Sequence, residues 1–277
     1  MTENNKILRL RVLLCFWNDE QKTSTVTKIA KTLGKEKYTI TRILDGLEQE
    51  GLVDRSNPRK PCLTEAGIEK TGNYVKRIEI AMNHLIYEGV EPEYAISDSM
   101  YWAIYNSEQT MRVIEATEER YRIKNEMKDK SKFTGAALCR QMRDGAYQFP
   151  FLIYKEAAKD GNNISMLNEG FLHPCTLLIK DGEGMIMLQR TVLIKKMPHT
   201  NEEVSIKINR VSYYDGEELF DAEVRGNMVL IPAAVLQFVN VGQGVGRIFH
   251  GSVRLSFEGT RQRPDMEELA AIFTILI

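Results

Sequence analysis

The chain has 277 residues, enough for two domains with separate jobs, and its 43% hydrophobic and 27% charged content is that of a folded globular protein, not a disordered or fibrous one. A formal net charge of −1 excludes a protein that is basic throughout, so any nucleic-acid contact must come from a local patch. No apolar run is long enough to span a bilayer and no secretory leader is recognisable, which predicts a cytoplasmic protein with no membrane partner; the scattered Cys15, Cys62, Cys139 and Cys175 lack metal-binding spacing and read as reduced thiols.

Ile7, Leu10, Leu13, Leu14 and Trp17 recur at helical spacing and predict an amphipathic helix from Lys6 to Trp17. Thr23-Ser24-Thr25 supplies a cap for a short second helix with Val26, Ile29, Ala30 and Leu33 as its buried stripe, and Gly34 ends it. Ile40, Ile43, Leu44 and Leu47 mark a third helix running to Glu50, stopped by Gly51. Leu52-Val53-Asp54-Arg55 reads as a short strand, Ser56 to Pro61 as a turn, and Cys62-Leu63-Thr64 as the returning strand. Three helices followed by a basic-tipped hairpin make a winged helix-turn-helix.

Between Thr25 and Arg42 the cations Lys28, Lys31, Lys35, Lys37 and Arg42 face Glu36 alone, the local basic patch that DNA binding needs. In a winged helix the third helix lies in the major groove of double-stranded DNA. Its outer face carries Lys35, Lys37, Tyr38, Thr39, Thr41 and Arg42. Thr39, Thr41 and Arg42 are the candidates for base edges, and Lys35, Lys37, Arg55, Arg59 and Lys60 for phosphates. The order "IAKTLG…TITRILDGLEQEGLVDRS…CLTEAG", over residues 6–70, resembles the winged-helix regulators of the MarR and diphtheria-toxin-repressor (DtxR) families. That resemblance implies a transcriptional regulator.

A long helix is expected from Glu65 to about Tyr87, then helix, loop, helix, helix through "HLIYEGVEPEYAISDSMYWAIYNSEQTMRVIEATEERY". The segment resembles the dimerisation domain of the manganese-sensing DtxR branch, which implies a homodimer with two recognition helices on adjacent half-sites. The metal site of that branch has no counterpart here: Lys6 to Trp17 contains no Asp or Glu, and the other ligand positions fall on Ile78, Met100, Ala103 and Ile104, with His84 a lone histidine. No metal is therefore expected.

The expected organisation is a winged helix over residues 1–70, a helical dimerisation segment over 71–127, a charged linker over 128–144 and a β-domain over 145–277. The fold class is α + β multidomain, ending in an all-β sandwich or barrel. Short apolar or alternating stretches support this: Tyr147–Tyr154, Thr176–Ile179, Met185–Ile194, Val204–Val211, Leu219–Val224, Met228–Ile231 and Ile248–Phe257, with Met266–Ile277 as a closing helix or edge segment. Ala136 to Asp144 can form a short helix docked on the sandwich.

The stretch "DGAYQFPFLIYKEAAKDGNNISMLNEGFLHPCTLLIKDGEGMIMLQRTVL" resembles the opening of a near-iron-transporter (NEAT) domain, a family with many haem binders, and this resemblance implies that the β-domain is an all-β immunoglobulin-like sandwich. The resemblance makes haem the candidate cofactor and Ser165, Met166, His173, Arg247 and His250 the candidate ligand-binding residues, although the family's two hairpin tyrosines fall on Arg247 and Gly251, which cannot ligate iron. Cys175, Tyr213 and Tyr214 read as packing residues, and Met166, Leu167, Met185, Met187 and Met228 as sandwich core or the lining of an apolar pocket. No phosphate loop or nucleophile with a base is present in the pattern, so an enzyme is not expected. Two functions follow: a regulator whose β-domain senses haem or another small molecule, or a constitutive DNA-binding protein whose β-domain binds a protein partner or builds an oligomer.

Overall fold

Apolar residues three and four apart assemble the first half of the chain. In the computed structural model, which describes residues 5–156, 163–196, 203–260 and 269–277, α1 (Asn5–Trp17), α2 (Val26–Leu33) and α3 (Lys37–Gln49) pack around a common core. Val12, Phe16, Ile29, Ile40 and Leu44 at its centre are completely buried. Each such side chain contributes about 1.5–3 kcal/mol on burial. Thr25 caps α2 by accepting from the Lys28 amide at 3.1 Å, and Gly34 closes it in the left-handed conformation at φ 61°.

The hairpin follows as expected: β1 (Val53–Asp54) pairs antiparallel with β2 (Cys62–Leu63). Thr64 caps α4 (Glu65–Tyr87) with a 3.0 Å bond from the Gly67 amide. A Cβ on Gly67 would stand 2.0 Å from the Leu52 carbonyl oxygen, so this glycine lets the start of α4 lie against the strand before the wing. Pro92 sits in the first turn of α5 (Pro92–Tyr105), where its missing N–H costs nothing. Helix α5 buries Ala95, Ser99 and Ala103 and leaves Tyr94, Ile96, Tyr101 and Tyr105 exposed. Helix α6 (Glu108–Glu126) completes the helices of this half.

The chain divides into two compact units, Met1–Glu118 and Glu119–Ile277, so the division falls inside α6 and not in the 128–144 stretch expected as a linker. That stretch carries structure of its own. Ile123 and Met127, one helical turn apart, are buried, and the Glu119 carboxylate is held by Arg122 at 2.6 and 2.7 Å and by the Arg143 amide at 2.8 Å. β3 (Lys132–Thr134) is a strand of the larger sheet, and Thr134 caps the short α7 (Gly135–Cys139).

The second unit is built from two antiparallel sheets. Its remaining strands are β4 (Gly145–Phe149), β5 (Phe151–Lys155), β6 (Cys175–Lys180), β7 (Glu183–Gln189), β8 (Leu193–Lys196), β9 (Glu203–Asp215), β10 (Glu218–Asp221), β11 (Glu223–Arg225), β12 (Met228–Pro232), β13 (Gln237–Val241), β14 (Ile248–Thr260) and β15 (Leu269–Leu276). One sheet runs β11-β12-β7-β6-β4, and the larger runs β10-β9-β14-β13-β3 with β15 joining β14 to β5 and β8 on β9. Asp181 and Gly182, both at positive φ, make the two-residue turn between β6 and β7, the conformation a tight hairpin requires.

Two further sequence expectations are corrected. Tyr147–Tyr154 is not one strand: Pro150 interrupts it, and β4 and β5 on either side belong to different sheets. The described part of Met266–Ile277 is neither helix nor edge. It forms β15, paired on both sides, and its nearly unbroken apolar run reflects burial within the sheet.

Candidate nucleic-acid interface

Burial of Ile40, Ile43, Leu44 and Leu47 fixes which side of α3 faces outward. Lys37, Tyr38 and Arg42 stand exposed at its N-terminal end, and Tyr38 keeps 70% of its surface accessible. The Arg42 guanidinium lies 6.0 Å above the Tyr38 ring, so the two form one flat cationic-aromatic tip. Thr39 and Thr41 are half-buried, and the Thr41 hydroxyl donates to the Lys37 carbonyl at 2.9 Å. Lys35, in the turn between α2 and α3, is half-buried as well.

The wing is held by its own polar residues. Asp54 accepts from the Ser56 amide at 2.8 Å, a bond that holds its carboxyl below the usual carboxylate range, and Asn57 accepts from the Arg59 amide at 3.1 Å. Arg59 is exposed at the tip. Lys60 donates to Gln21 at 2.7 Å. Arg55 faces inward: its guanidinium pairs with Asp45 and lies 3.6 Å from Glu48, both on α3. Arg55, expected to meet a phosphate, forms an ion-paired strut between the wing and α3.

The five ligand candidates of the second unit do not converge. Ser165 is buried and its hydroxyl accepts from the Leu167 amide at 3.2 Å, capping the 3-10 turn Met166–Gly170, while Met166 is half-buried. Arg247 donates to the Lys124 carbonyl at 3.1 Å. His173 stacks on Phe151 with ring centres 3.9 Å apart. His250 pairs across the sheet with Val239 and Leu276. Register then separates the histidines: Phe151, Ile275 and Gly251 form one cross-strand row on the core face, whereas His250, next to Gly251 on β14, points to the opposite face. These residues do not fit a haem iron.

Nearby packing residues behave differently from one another. Cys175 is buried, its thiol donates to the Phe149 carbonyl at 3.4 Å, and burial pushes it up to about 12. Tyr213 stacks on Phe220, and Tyr214 lies under Arg254 at 4.4 Å. Leu167 is core, but Met185, Met187 and Met228 alternate with the buried Ile186, Leu188 and Val229 and so lie on the outer face of their sheet, half-buried, outside the core. In the first unit, Ile78, Met100 and Ile104 are half-buried, Ala103 is buried, and His84 packs against Trp102. Among the described residues, no group of three His, Cys, Asp or Glu side chains is placed to hold a metal ion, and no helix is long and apolar enough to cross a membrane.

Three helices, the first strand of the wing and a buried stripe that turns α3 outward overlap residues 7–59, the segment that matches the MarR family. The N-terminal domain is a MarR-type winged helix. No curated protein matches the chain. Among solved structures, the manganese regulator SloR aligns at 11% identity over 84% of this chain and 100% of its own, with a TM-score of 0.34. IdeR of T. acidophilum aligns at 12% identity over 75% and 93%, again at 0.34. The NEAT5 domain of IsdX2, a B. anthracis hemophore in complex with heme, aligns at 17% identity over 48% and 96%, at 0.27. Such values mark distant, partial likenesses only.

Within the MarR-type winged helix, two constraints escaped sequence reasoning because they join residues far apart in the chain. Gln21 engages Lys60 across 39 positions, and Asp45 engages Arg55 across 10. Asp45, a carboxylate on the outward edge of α3 ten positions before Arg55, was the available signal, since opposite charges brought together by a hairpin attract one another.

Proposed function

We propose that the protein is a homodimeric DNA-binding transcriptional regulator that lays α3 in the major groove, with the second unit as the module that receives a ligand or a partner. The exposed tip of Lys37, Tyr38 and Arg42, on a helix oriented by its buried stripe, carries the reading. Arg59 and Lys37 are assigned to phosphates, Arg42 and Thr39 to base edges. The large apolar residues that α5 leaves exposed, Tyr94, Ile96, Tyr101 and Tyr105, support a second copy as partner.

The test is selection of binding sites from genomic fragments by the full chain, followed by fluorescence anisotropy on the selected duplex. Replacing Arg42 by Ala should cost discrimination between sites, about 1–3 kcal/mol at the affected base pair. Replacing Arg59 by Ala should weaken all duplexes alike and lower the salt slope by about one. A chain that selects no sequence, or an Arg42→Ala protein with unchanged site preference, would overturn the assignment. For the second unit, a sharp Soret band on adding hemin would contradict the lack of fit found at Ser165, Met166, His173, Arg247 and His250.

A further inference from the structure

The first unit contains a cavity of about 240 Å³ whose charge is the inverse of a metal site. Among the described residues that line it, Lys6 and Arg9 of α1 and Lys70 of α4 face one carboxylate, that of Glu50. Buried Leu10, Leu13 and Leu47 form its floor, and Tyr74 lines it as well. Ile104, at one of the positions where the resemblance implied a metal ligand, also lines it. Among the described lining residues three cations outnumber one anion, a balance that repels a divalent cation and attracts a dianion.

Arg9 links this cavity to the DNA-facing element. Its Nη2 lies 2.6 Å from an oxygen of Glu50, the residue that ends α3, and its Nη1 lies 3.0 Å from where a Cβ on Gly46 would stand. The guanidinium therefore rests along the last turn of the recognition helix. A carboxylate at a helix C-terminus is disfavoured by the helix dipole, so Arg9 offsets a charge that would otherwise work against the end of α3.

We propose that this cavity binds a small phosphate ester, with the dianion taken by Lys6, Arg9 and Lys70 and the apolar body set on the leucine floor. The guanidinium fork matches a phosphoryl group, and the net charge matches a monoester above its second ionisation. Bound phosphate competes with Glu50 for Arg9 and releases the end of α3, so the ligand lowers affinity for DNA. Only this last effect rests on the DNA-binding reading above; the site itself does not.

The experiment titrates the full chain with phenyl phosphate by calorimetry, without DNA and with ionic strength matched by chloride. One saturable site per chain is expected, weakening below about pH 6 as the phosphate takes a proton. Benzoate, with one charge fewer, should bind roughly fivefold more weakly or worse. Arg9→Gln and Lys70→Gln should each weaken binding, whereas Glu50→Gln, which removes the competitor, should tighten it. Lys70 and Glu50 are exposed, so these two variants test the site without risk to the core.

No saturable binding, equal affinity for benzoate, or tightening absent in Glu50→Gln overturns the site. Anisotropy on a selected duplex then reads the coupling, expected as a roughly fivefold loss of DNA affinity at saturating phenyl phosphate. Phosphate binding with unchanged DNA affinity overturns the competition at Arg9. Phosphate binding by a chain that binds no DNA sinks the DNA-binding reading and leaves the anion site standing.

Discussion

Replacing Arg55 by Gln separates two roles that a wing arginine can have. Its side chain is 19% exposed and engages Asp45 and Glu48, which are each about half-exposed. Pairs of this accessibility are worth about 0.2–1 kcal/mol each. Losing both therefore costs about 1 kcal/mol, a fall of about 4 °C in the melting of the helical unit followed by circular dichroism. The salt dependence of DNA binding decides between the roles. An arginine on a phosphate contributes about 0.9 to the slope of log affinity against log salt, whereas a strut contributes nothing. Arg55→Gln should lower Tm and leave the slope unchanged, and Asp45→Asn should do the same. A slope reduced by about one with Tm unaltered would refute the strut and return Arg55 to the DNA.

Tyr101→Glu on the exposed side of α5 should convert a dimer to a monomer in light scattering while helical content is retained; an unchanged mass removes α5 from the dimer surface. Gly251→Val places a Cβ 2.4 Å from the Phe238 ring, so the second unit should lose about 1–3 kcal/mol in denaturant titration, and wild-type stability would show that the ring can yield. Burial raises the Cys139 thiol to about 11 and the Cys175 thiol to about 12, so both should resist labelling at pH 8 until the chain is unfolded. The same shifts set a pH dependence. The unfolded thiols ionise from about pH 9 while the folded ones hold their protons, so their contribution is complete below pH 9 and is lost as pH climbs toward 11 and 12, which urea midpoints between pH 8 and 11 can follow.

The winged helix was legible almost residue by residue because its signals are local. Thr25, Gly34 and Thr64 cap helices within their own turn, and the stripes of α2 and α3 repeat every three or four positions. The end of α6 was not legible for the opposite reason. Past Tyr121 its one wholly buried apolar residue is Ile123, joined just beyond the helix by Met127, and the polar remainder is stabilised by Arg122 and Arg143 meeting Glu119, a network that leaves no periodic trace. In the sandwich, alternation located most strands but not their neighbours. The placing of His173 and His250 on opposite faces depends on the pairing of β14, β15 and β5, which no single strand encodes.

Pro150 bears on how the second unit comes apart. A single residue separates β4, the last strand of one sheet, from β5, paired to β15 in the other, and its carbonyl accepts from the Leu276 amide at 3.2 Å. Chain this short has no slack to let one sheet melt while the other persists. Amide exchange should therefore show a single opening event across both sheets, with β6 and β15 losing protection together, and the sandwich should act as one cooperative unit despite its two layers.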